Sequence, residues 1–254
     1  MAGLRVYMLG TGGAGAPPGR AENCYLVESA STRLLLDAGP GCAQRLLEHG
    51  FEPYSVDAVY ISHRHVDHLA GLFDISVHAS AAGRPLPPVL AAEGALGEIE
   101  SQVRLHVIGS AAQSLRLVPL PSRGPSHLGD LALALVPGRH PAISHGLLVE
   151  HGGVAVYYSA DTSLTPSVAE AVSRADLSLV EASLPPGSGG AAEKLGHMTV
   201  EQAASLAARA RPGAIVALVH VTAGSAAHVS RAEPPSGAAA RLLAPSDGTV
   251  VRLA

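Results

Sequence analysis

Short apolar runs dominate this chain, and most of them stop at a glycine, a proline or a polar residue. Runs of about four to eight apolar residues bounded by turn residues read as buried strands. Strands are therefore expected at 4–9, 24–28, 34–37, 58–61, 103–107, 115–120, 131–136, 147–150, 154–158, 177–180, 214–219 and 249–253. Helices are expected at 41–49, 68–81, 165–175 and 199–210. The last has the best-marked start, because Thr199 can cap it and Gln202 sits three residues on, as a capping box requires. Gly213, after Pro212, can end it. Many short strands with helices between them imply stacked sheets covered by helices, an α/β class. No linker-like stretch divides the chain, so residues 1–254 read as one domain. Pro185–Gly190 and Pro234–Gly237 read as loops, and no repeat is evident in the sequence.

The run at 58–61 leads into dense chemistry. His63-Arg64-His65-Val66-Asp67-His68 packs three imidazoles and a carboxylate into six residues. These are the usual ligands of divalent zinc, and imidazole also suits iron and nickel. Residues two apart on an extended segment point to the same side, so His63 and His65 can chelate one ion. Asp67 and His68 lie further along and can turn toward a second. A closed site needs about four ligands per zinc, and candidates stand where other apolar runs end. The run 131–136 leads to His140, 154–160 to Asp161, and 214–219 to His220. One histidine after a strand is usually a hydrogen-bonded structural residue; four such strand ends together point to a metal centre. His49, His78, His106, His127, His151 and His228 have no partner pattern and read as surface or packed residues. His145 is near His140 but begins a strand.

Composition adds limits. A domain of 254 residues, 47% hydrophobic, removes roughly three quarters of its unfolded surface from water and needs no staples. The two cysteines, Cys24 and Cys42, imply no disulfide framework, and a reduced, cytoplasmic setting fits. The start lacks the basic residues and longer apolar stretch of a secretory signal. No run approaches the ~18 apolar residues of a membrane span, so no membrane partner is expected. Net charge is −4, the arginines are dispersed and Lys194 is the only lysine, so no large footprint for nucleic acid is evident. Gly10-Thr11-Gly12-Gly13 has backbone N–H groups that suit phosphate. It lacks the lysine of a P-loop, however, and is expected to shape a loop bordering the site. Arg20 reads either as a phosphate contact or as a solvated loop residue.

These residues resemble the metallo-β-lactamase superfamily over nearly the whole chain. The resemblance begins with Asn23-Cys24-Tyr25-Leu26-Val27-Glu28 and Leu34-Leu35-Leu36-Asp37-Ala38-Gly39, and continues through the His63–His68 run, His140, Asp161 and His220. Within the superfamily the likeness is to ribonuclease Z and related phosphodiesterases. It is carried by Gly10–Gly13, by Ser159-Ala160-Asp161-Thr162, and by Leu179-Val180-Glu181-Ala182-Ser183 followed by Gly196-His197-Met198-Thr199. The resemblance implies a four-layer αβ/βα sandwich with metals at one edge between the sheets. It implies two divalent ions, zinc first, with manganese or iron as alternatives. His63, His65 and His140 would bind one, Asp67, His68 and His220 the other, with Asp161 as the bridge. Asp67 also joins the catalytic group, with His197 as proton donor to the leaving group and Glu181 orienting it. Asp37 would support a ligand rather than bind metal.

The implied activity is metal-dependent hydrolysis through a metal-bound hydroxide. Departures from the ribonuclease Z pattern shape the substrate. Those enzymes carry a long arm that grips transfer RNA between the segments matching His140 and Asp161. Here only residues 141–160 lie between them, read as a hairpin turning at His151-Gly152-Gly153. Val180 also stands where the family has a histidine. A small or cyclic phosphodiester is therefore expected, with RNA disfavoured. A ribonuclease Z-like endonuclease, a lactone or thioester hydrolase and an iron-dependent thiol oxidoreductase remain as alternatives. A non-catalytic binding protein fits less well, since every expected ligand is present. Homodimers are common among such relatives, so self-association stays open.

Overall fold

Alternate residues along the strands part to opposite faces, and that parting sets the layers. The computed structural model describes residues 3–254. Strands β1 (Leu4–Gly10), β2 (Cys24–Glu28), β3 (Arg33–Leu36), β4 (Ala58–Tyr60), β5 (Val89–Ala92) and β6 (Leu117–Leu120) follow one another across the first sheet. The second sheet is built in the same way from β7 (Ser126–Leu128), β8 (Leu131–Pro137), β9 (His145–His151), β10 (Val154–Tyr158), β11 (Leu177–Glu181), β12 (Ile215–Val219) and β13 (Arg241–Leu243). The final strand, β14 (Thr249–Leu253), returns to pair with β1.

Helices α1 (Cys42–Glu48), α2 (Val66–Leu69), α3 (Leu72–Ala81) and α4 (Leu96–His106) belong to the first half of the chain. Helices α5 (Pro166–Arg174), α6 (Gly189–Leu195), α7 (Val200–Ser205) and α8 (Ala226–Val229) belong to the second. On β3, Leu34 and Leu36 face the space between the sheets while Leu35 faces outward; on β10, Val156 and Tyr158 face inward while Tyr157 faces outward. The outer face of the first sheet packs on Leu46, Leu72, Ile75 and Ile99 of α1, α3 and α4. That of the second packs on Val168 and Val172 of α5 and Ala203 of α7. The result is the helix–sheet–sheet–helix stack expected from the resemblance.

Each sheet changes from antiparallel to parallel midway. β1, β2 and β3 pair antiparallel, then β3 to β6 run parallel. In the second sheet β7 to β10 are antiparallel and β10 to β13 parallel. This internal repeat is invisible in the sequence, because what recurs is pairing order rather than residue identity. The parallel strands end at one edge, where loops that leave a sheet are free to hold ligands. Three non-glycine residues there adopt left-handed backbone: Asp37 (φ 55°), Ala160 (φ 53°) and His220 (φ 54°). Such conformations cost of order 1–3 kcal/mol each and persist only where their surroundings impose them.

Several expectations need correction. Residues 103–106 finish α4, with Val107 as its C-cap, rather than forming a strand. Their alternation is local, whereas Ile99 and Val103 recur at helical spacing and bury together, and Arg104 pairs with Glu100 one turn earlier. The helix expected over 68–81 breaks into α2 and α3 at Ala70–Gly71, where a Cβ on Gly71 would lie 2.2 Å from the Gly39 carbonyl oxygen. The loop read over Pro185–Gly190 gives way to α6 from Gly189. Strands β5, β7 and β13 are too short for their patterns to stand out. The capping box of Thr199 and Gln202 is formed, although the α-helix ends at Ser205 and continues only as one 3₁₀ turn. The cysteines also differ from expectation: Cys24 and Cys42 form a disulfide. They meet because the backbones of Asn23 and Gly39 pair, with the Gly39 N–H donating to Asn23 O at 2.8 Å, which brings the start of β2 against the start of α1.

Gly71 and Gly97 make a matched test of this packing. Gly97 lies in α4, and a Cβ added there would meet nothing within 4 Å, so Gly97→Ala should raise stability by roughly 0.5–1 kcal/mol. Gly71→Ala should lower it instead. Urea unfolding midpoints of the two variants against the parent check both signs.

Candidate metal centre

The edge where the parallel strands end gathers the expected residues from both sheets. His63 follows β4, Asp161 follows β10 and His220 follows β12 directly. His65 is the N-cap of α2, so that one helical turn carries Asp67 and His68 back toward the strand ends. His140 lies in the β8–β9 connection and is fixed by Gly196, whose absent side chain admits the His140 backbone.

Two four-residue clusters result, sharing Asp161. In the first, His63 Nε2 lies 3.0 Å from His65 Nδ1, which is 3.2 Å from His140 Nε2, and His63 Nε2 is 3.6 Å from Asp161 Oδ2. In the second, His68 Nε2 is 3.4 Å from Asp67 Oδ2 and 3.3 Å from Asp161 Oδ1. His220 Nε2 is 3.2 Å from Asp67 Oδ2 and 3.1 Å from Asp161 Oδ1. Nitrogen and oxygen ligands about 2.0–2.1 Å from a tetrahedral zinc stand about 3.3 Å apart, so both clusters have the dimensions of a coordination shell.

Hydrogen bonding behind the clusters agrees. His140 Nδ1 donates to Gly196 O at 2.9 Å and His68 Nδ1 to Asp37 Oδ2 at 2.6 Å. His220 Nδ1 reaches Ser183 Oγ at 2.8 Å, and His63 Nδ1 reaches Ser62 Oγ at 3.0 Å. Each Nε2 therefore turns a lone pair toward the cluster centre. A single N–H on His65 cannot satisfy both neighbouring lone pairs. Among the described residues, buried Asp161 Oδ1 accepts no well-aligned hydrogen bond. Converging lone pairs and an orphaned carboxylate oxygen fit metal binding at these clusters.

Electrostatics tell the two clusters apart. Burial holds His63 well below the ordinary histidine range, helped by the charge of His68, and it lowers His65 and His140 too. In the second cluster burial opposes ionisation but is outweighed. Asp161 and Asp37 hold His68 well above the ordinary range, and Asp161 raises His220. Against the same cost of burial, His220 and His68 hold Asp161 well below the carboxylate range, and His68 does so for Asp67. Without a cation, protons on His68 and His220 balance the carboxylates.

Glu181 and His197 come together beside the clusters. Buried Glu181 accepts from His197 Nδ1 at 2.9 Å and from the Thr162 N–H at 2.9 Å. Burial lowers the His197 pKa, but the hydrogen bond and charge of Glu181 push it up to about 9. Asp37 accepts from the Ser62 N–H (2.7 Å) and hydroxyl (2.7 Å) and from Tyr158 OH (2.5 Å) as well as from His68. The glycine loop borders the site: Ala14 N–H donates to Asp67 Oδ2 at 3.0 Å, and a Cβ on Gly13 would sit 2.2 Å from the His220 ring. Arg20 is used structurally, its Nη1 donating to Thr11 Oγ1 and to Pro245 O at 2.8 Å. Sequence reasoning passed over Ser62, Ser183 and Tyr158. Ser183 and Tyr158 sat inside segments singled out and Ser62 just between two of them, but their roles depend on partners brought together only by the fold.

Comparison with known proteins follows the same lines. The Beta-lactamase superfamily domain matches residues 32–221. The chain is 28% identical to the ribonuclease Z of Pyrobaculum calidifontis over 253 residues, covering 87% of each protein. It is 44% identical to the ribonuclease Z of Methanopyrus kandleri over 73 residues, a stretch that spans 29% of this chain and 26% of that relative. The crystal structure of the metallo-beta-lactamase fold protein YhfI from Bacillus subtilis superposes with a TM-score of 0.86 at 20% identity, covering 99% of this chain and 100% of that one. A diphosphatase from the PhnP family superposes with a TM-score of 0.73 at 20% identity, covering 98% and 97%.

Metal uptake gives a direct test. Zinc must displace the protons on His68 and His220, so binding near pH 7 should release protons and weaken as pH falls. Titration calorimetry in buffers of different ionisation enthalpy should show that release. A heat independent of the buffer would contradict the charge assignment.

Proposed function

The chain belongs to the beta-lactamase superfamily, and we propose that it is a two-metal hydrolase of a small or cyclic phosphodiester. The observation that carries this reading is Asp161, which gives one oxygen to each of two four-ligand clusters. A carboxylate suits that place because its two oxygens can face two cations and offset their repulsion. When bound, such cations supply positive charge for phosphoryl oxygens and make water acidic enough to ionise near pH 7.

The remaining work falls to this chain's own residues. Cleaving a phosphodiester leaves an alkoxide that needs a proton. With Nδ1 of His197 held by Glu181, its Nε2–H is left to donate to the departing oxygen. Glu181 also accepts from the Thr162 N–H, next to Asp161, so one carboxylate fixes the donor relative to the bridge. The half-buried side of the site, at His65, His140 and His197, is the way in for substrate.

Two features favour a small substrate. A cleft of about 490 Å³ beside His140, lined by Arg139, Pro141, Glu193, Lys194 and Gly196, is within the usual range for small-molecule sites. Between His140 and Asp161 the chain makes only the β9–β10 hairpin, with Val154 paired to His151 across the turn. The place of the RNA-gripping arm is thus taken by a tight turn. Cleavage of a transfer RNA precursor is the rival reading, favoured by the names of the relatives.

Hydrolysis of bis-p-nitrophenyl phosphate by protein loaded with zinc, manganese or iron tests the proposal. Turnover is expected to need metal and to vanish in Asp161→Ala. No turnover in any metal state would shift the reading to thioester or lactone hydrolysis, or to iron-dependent thiol oxidation. Efficient cleavage at the 3′ end of a transfer RNA precursor would overturn the small substrate.

A second outcome concerns the proton donor. His197→Ala should keep its metal and lose about 10²–10⁴-fold in rate, most with poor leaving groups. Equal loss across a leaving-group series would rule out His197 as the acid.

A further inference from the structure

Two serines stand between a buried carboxylate and a candidate ligand, one in each half of the fold. Asp37 is fully buried and Glu181 is 1% exposed. Asp37 grips His68 directly, and its Oδ2 also accepts from Ser62 Oγ at 2.7 Å. A hydroxyl has one proton, so with that proton given to Asp37, Ser62 Oγ can only accept from His63 Nδ1, 3.0 Å away. The same logic runs in the second half. Glu181 grips His197 directly, its Oε2 accepts from Ser183 Oγ at 2.5 Å, and Ser183 Oγ is left to accept from His220 Nδ1 at 2.8 Å.

The two arrangements arise at matching places. The Asp37 N–H bonds Tyr60 O across β3 and β4, and the Ser159 N–H bonds Leu179 O across β10 and β11. Two residues beyond each acceptor, the Ser62 N–H bonds Asp37 Oδ1 at 2.7 Å and the Glu181 N–H bonds Ser159 Oγ at 3.0 Å. The carboxylate has changed strands between the halves, from the end of β3 to the end of β11. Each half nonetheless holds one histidine directly and another through a hydroxyl.

We propose that Ser62 and Ser183 are positioning residues, each fixing one imidazole so that its Nε2 lone pair faces a cation: Ser62 for His63 in the first cluster, Ser183 for His220 in the second. The inference rests on reading the clusters as cation sites. Neither serine belongs to a ligand cluster. Removing a hydroxyl leaves an Nδ1–H buried without an acceptor and frees the ring to turn, so the loss falls on one cluster. Through Ser183, the carboxylate that holds the proton donor also holds a ligand of the second ion.

Zinc competition against a chromophoric chelator, with native mass spectrometry for stoichiometry, reads both sites. The parent should take up two ions. Ser183→Ala should retain one and bind the other 10–100-fold more weakly, and Ser62→Ala should do the same. In a Ser183→Ala, His63→Ala double variant both sites are then weakened, whereas adding His220→Ala to Ser183→Ala weakens the second site further and leaves the first as it was. The threonine variants keep the hydroxyl and should recover most of the affinity. Parent-like uptake of both ions by the alanine variants would overturn the proposal, as would equal weakening of both sites by either one. If the parent itself takes up no pair of ions, the reading of the clusters fails and this inference falls with it.

Histidine nitrogen-15 NMR of the unsubstituted, zinc-loaded protein checks the geometry without any variant. His63 and His220 should carry their protons on Nδ1, and the opposite tautomer at either would overturn the assignment.

Discussion

A carboxylate buried between two sheets is the constraint on which this edge of the molecule depends. Asp161 is 2% exposed, and an isolated charge so far from water is costly unless matched. The match comes from imidazoles on both sides: His63 and His68 from the first half, His220 from the second. The sheets must therefore meet in one register at this edge, and the left-handed backbone at Asp37, Ala160 and His220 shows how tightly the strand ends are held. Elsewhere between the sheets the packing is aliphatic and tyrosine-rich, which tolerates small shifts more readily than a ligand cluster does.

The support behind the clusters is as specific as the clusters themselves. Asp37 binds Ser62, Tyr158 and His68, joining β3 to β4 and across to β10 of the other sheet. Glu181 joins β11 to the loops carrying Thr162, Ser183 and His197. Each carboxylate is thereby both a fold-fixing and a site-fixing group. The disulfide between Cys24 and Cys42 adds a covalent tie next to Asn23, whose amide lies 3.1 Å from His68 Nε2.

Much of this was legible in the sequence where chemistry and periodicity coincided. The His63–His68 run, and His140, Asp161 and His220 after apolar runs, named the residues that the structure gathers, because ligand types at strand ends are conspicuous. Short apolar runs exposed β2, β10 and β14 with their bounds. Residues 103–107 misled because five residues can alternate and still complete a helical face begun at Leu96. Gly71 broke an expected helix for a reason held in Gly39, 32 positions earlier in the chain. The disulfide was hidden because two cysteines say nothing about proximity. Ser62 and Ser183 looked like ordinary polar residues until their partners came within reach. Long-range pairing, more than local propensity, separates what was read from what was not.

The glycine loop gives the two clusters unequal access. Gly13 lies against the His220 ring and Ala14 binds Asp67, so the second cluster is roofed by backbone and all four of its residues are buried. In the first, His65 and His140 are only half-buried. An ion held in the roofed cluster would leave only after the loop lifts, whereas one held in the open cluster would have solvent at hand. Exchange would then be ordered: the open position would equilibrate with its surroundings first, and the roofed one would keep a record of the metal it took up earlier.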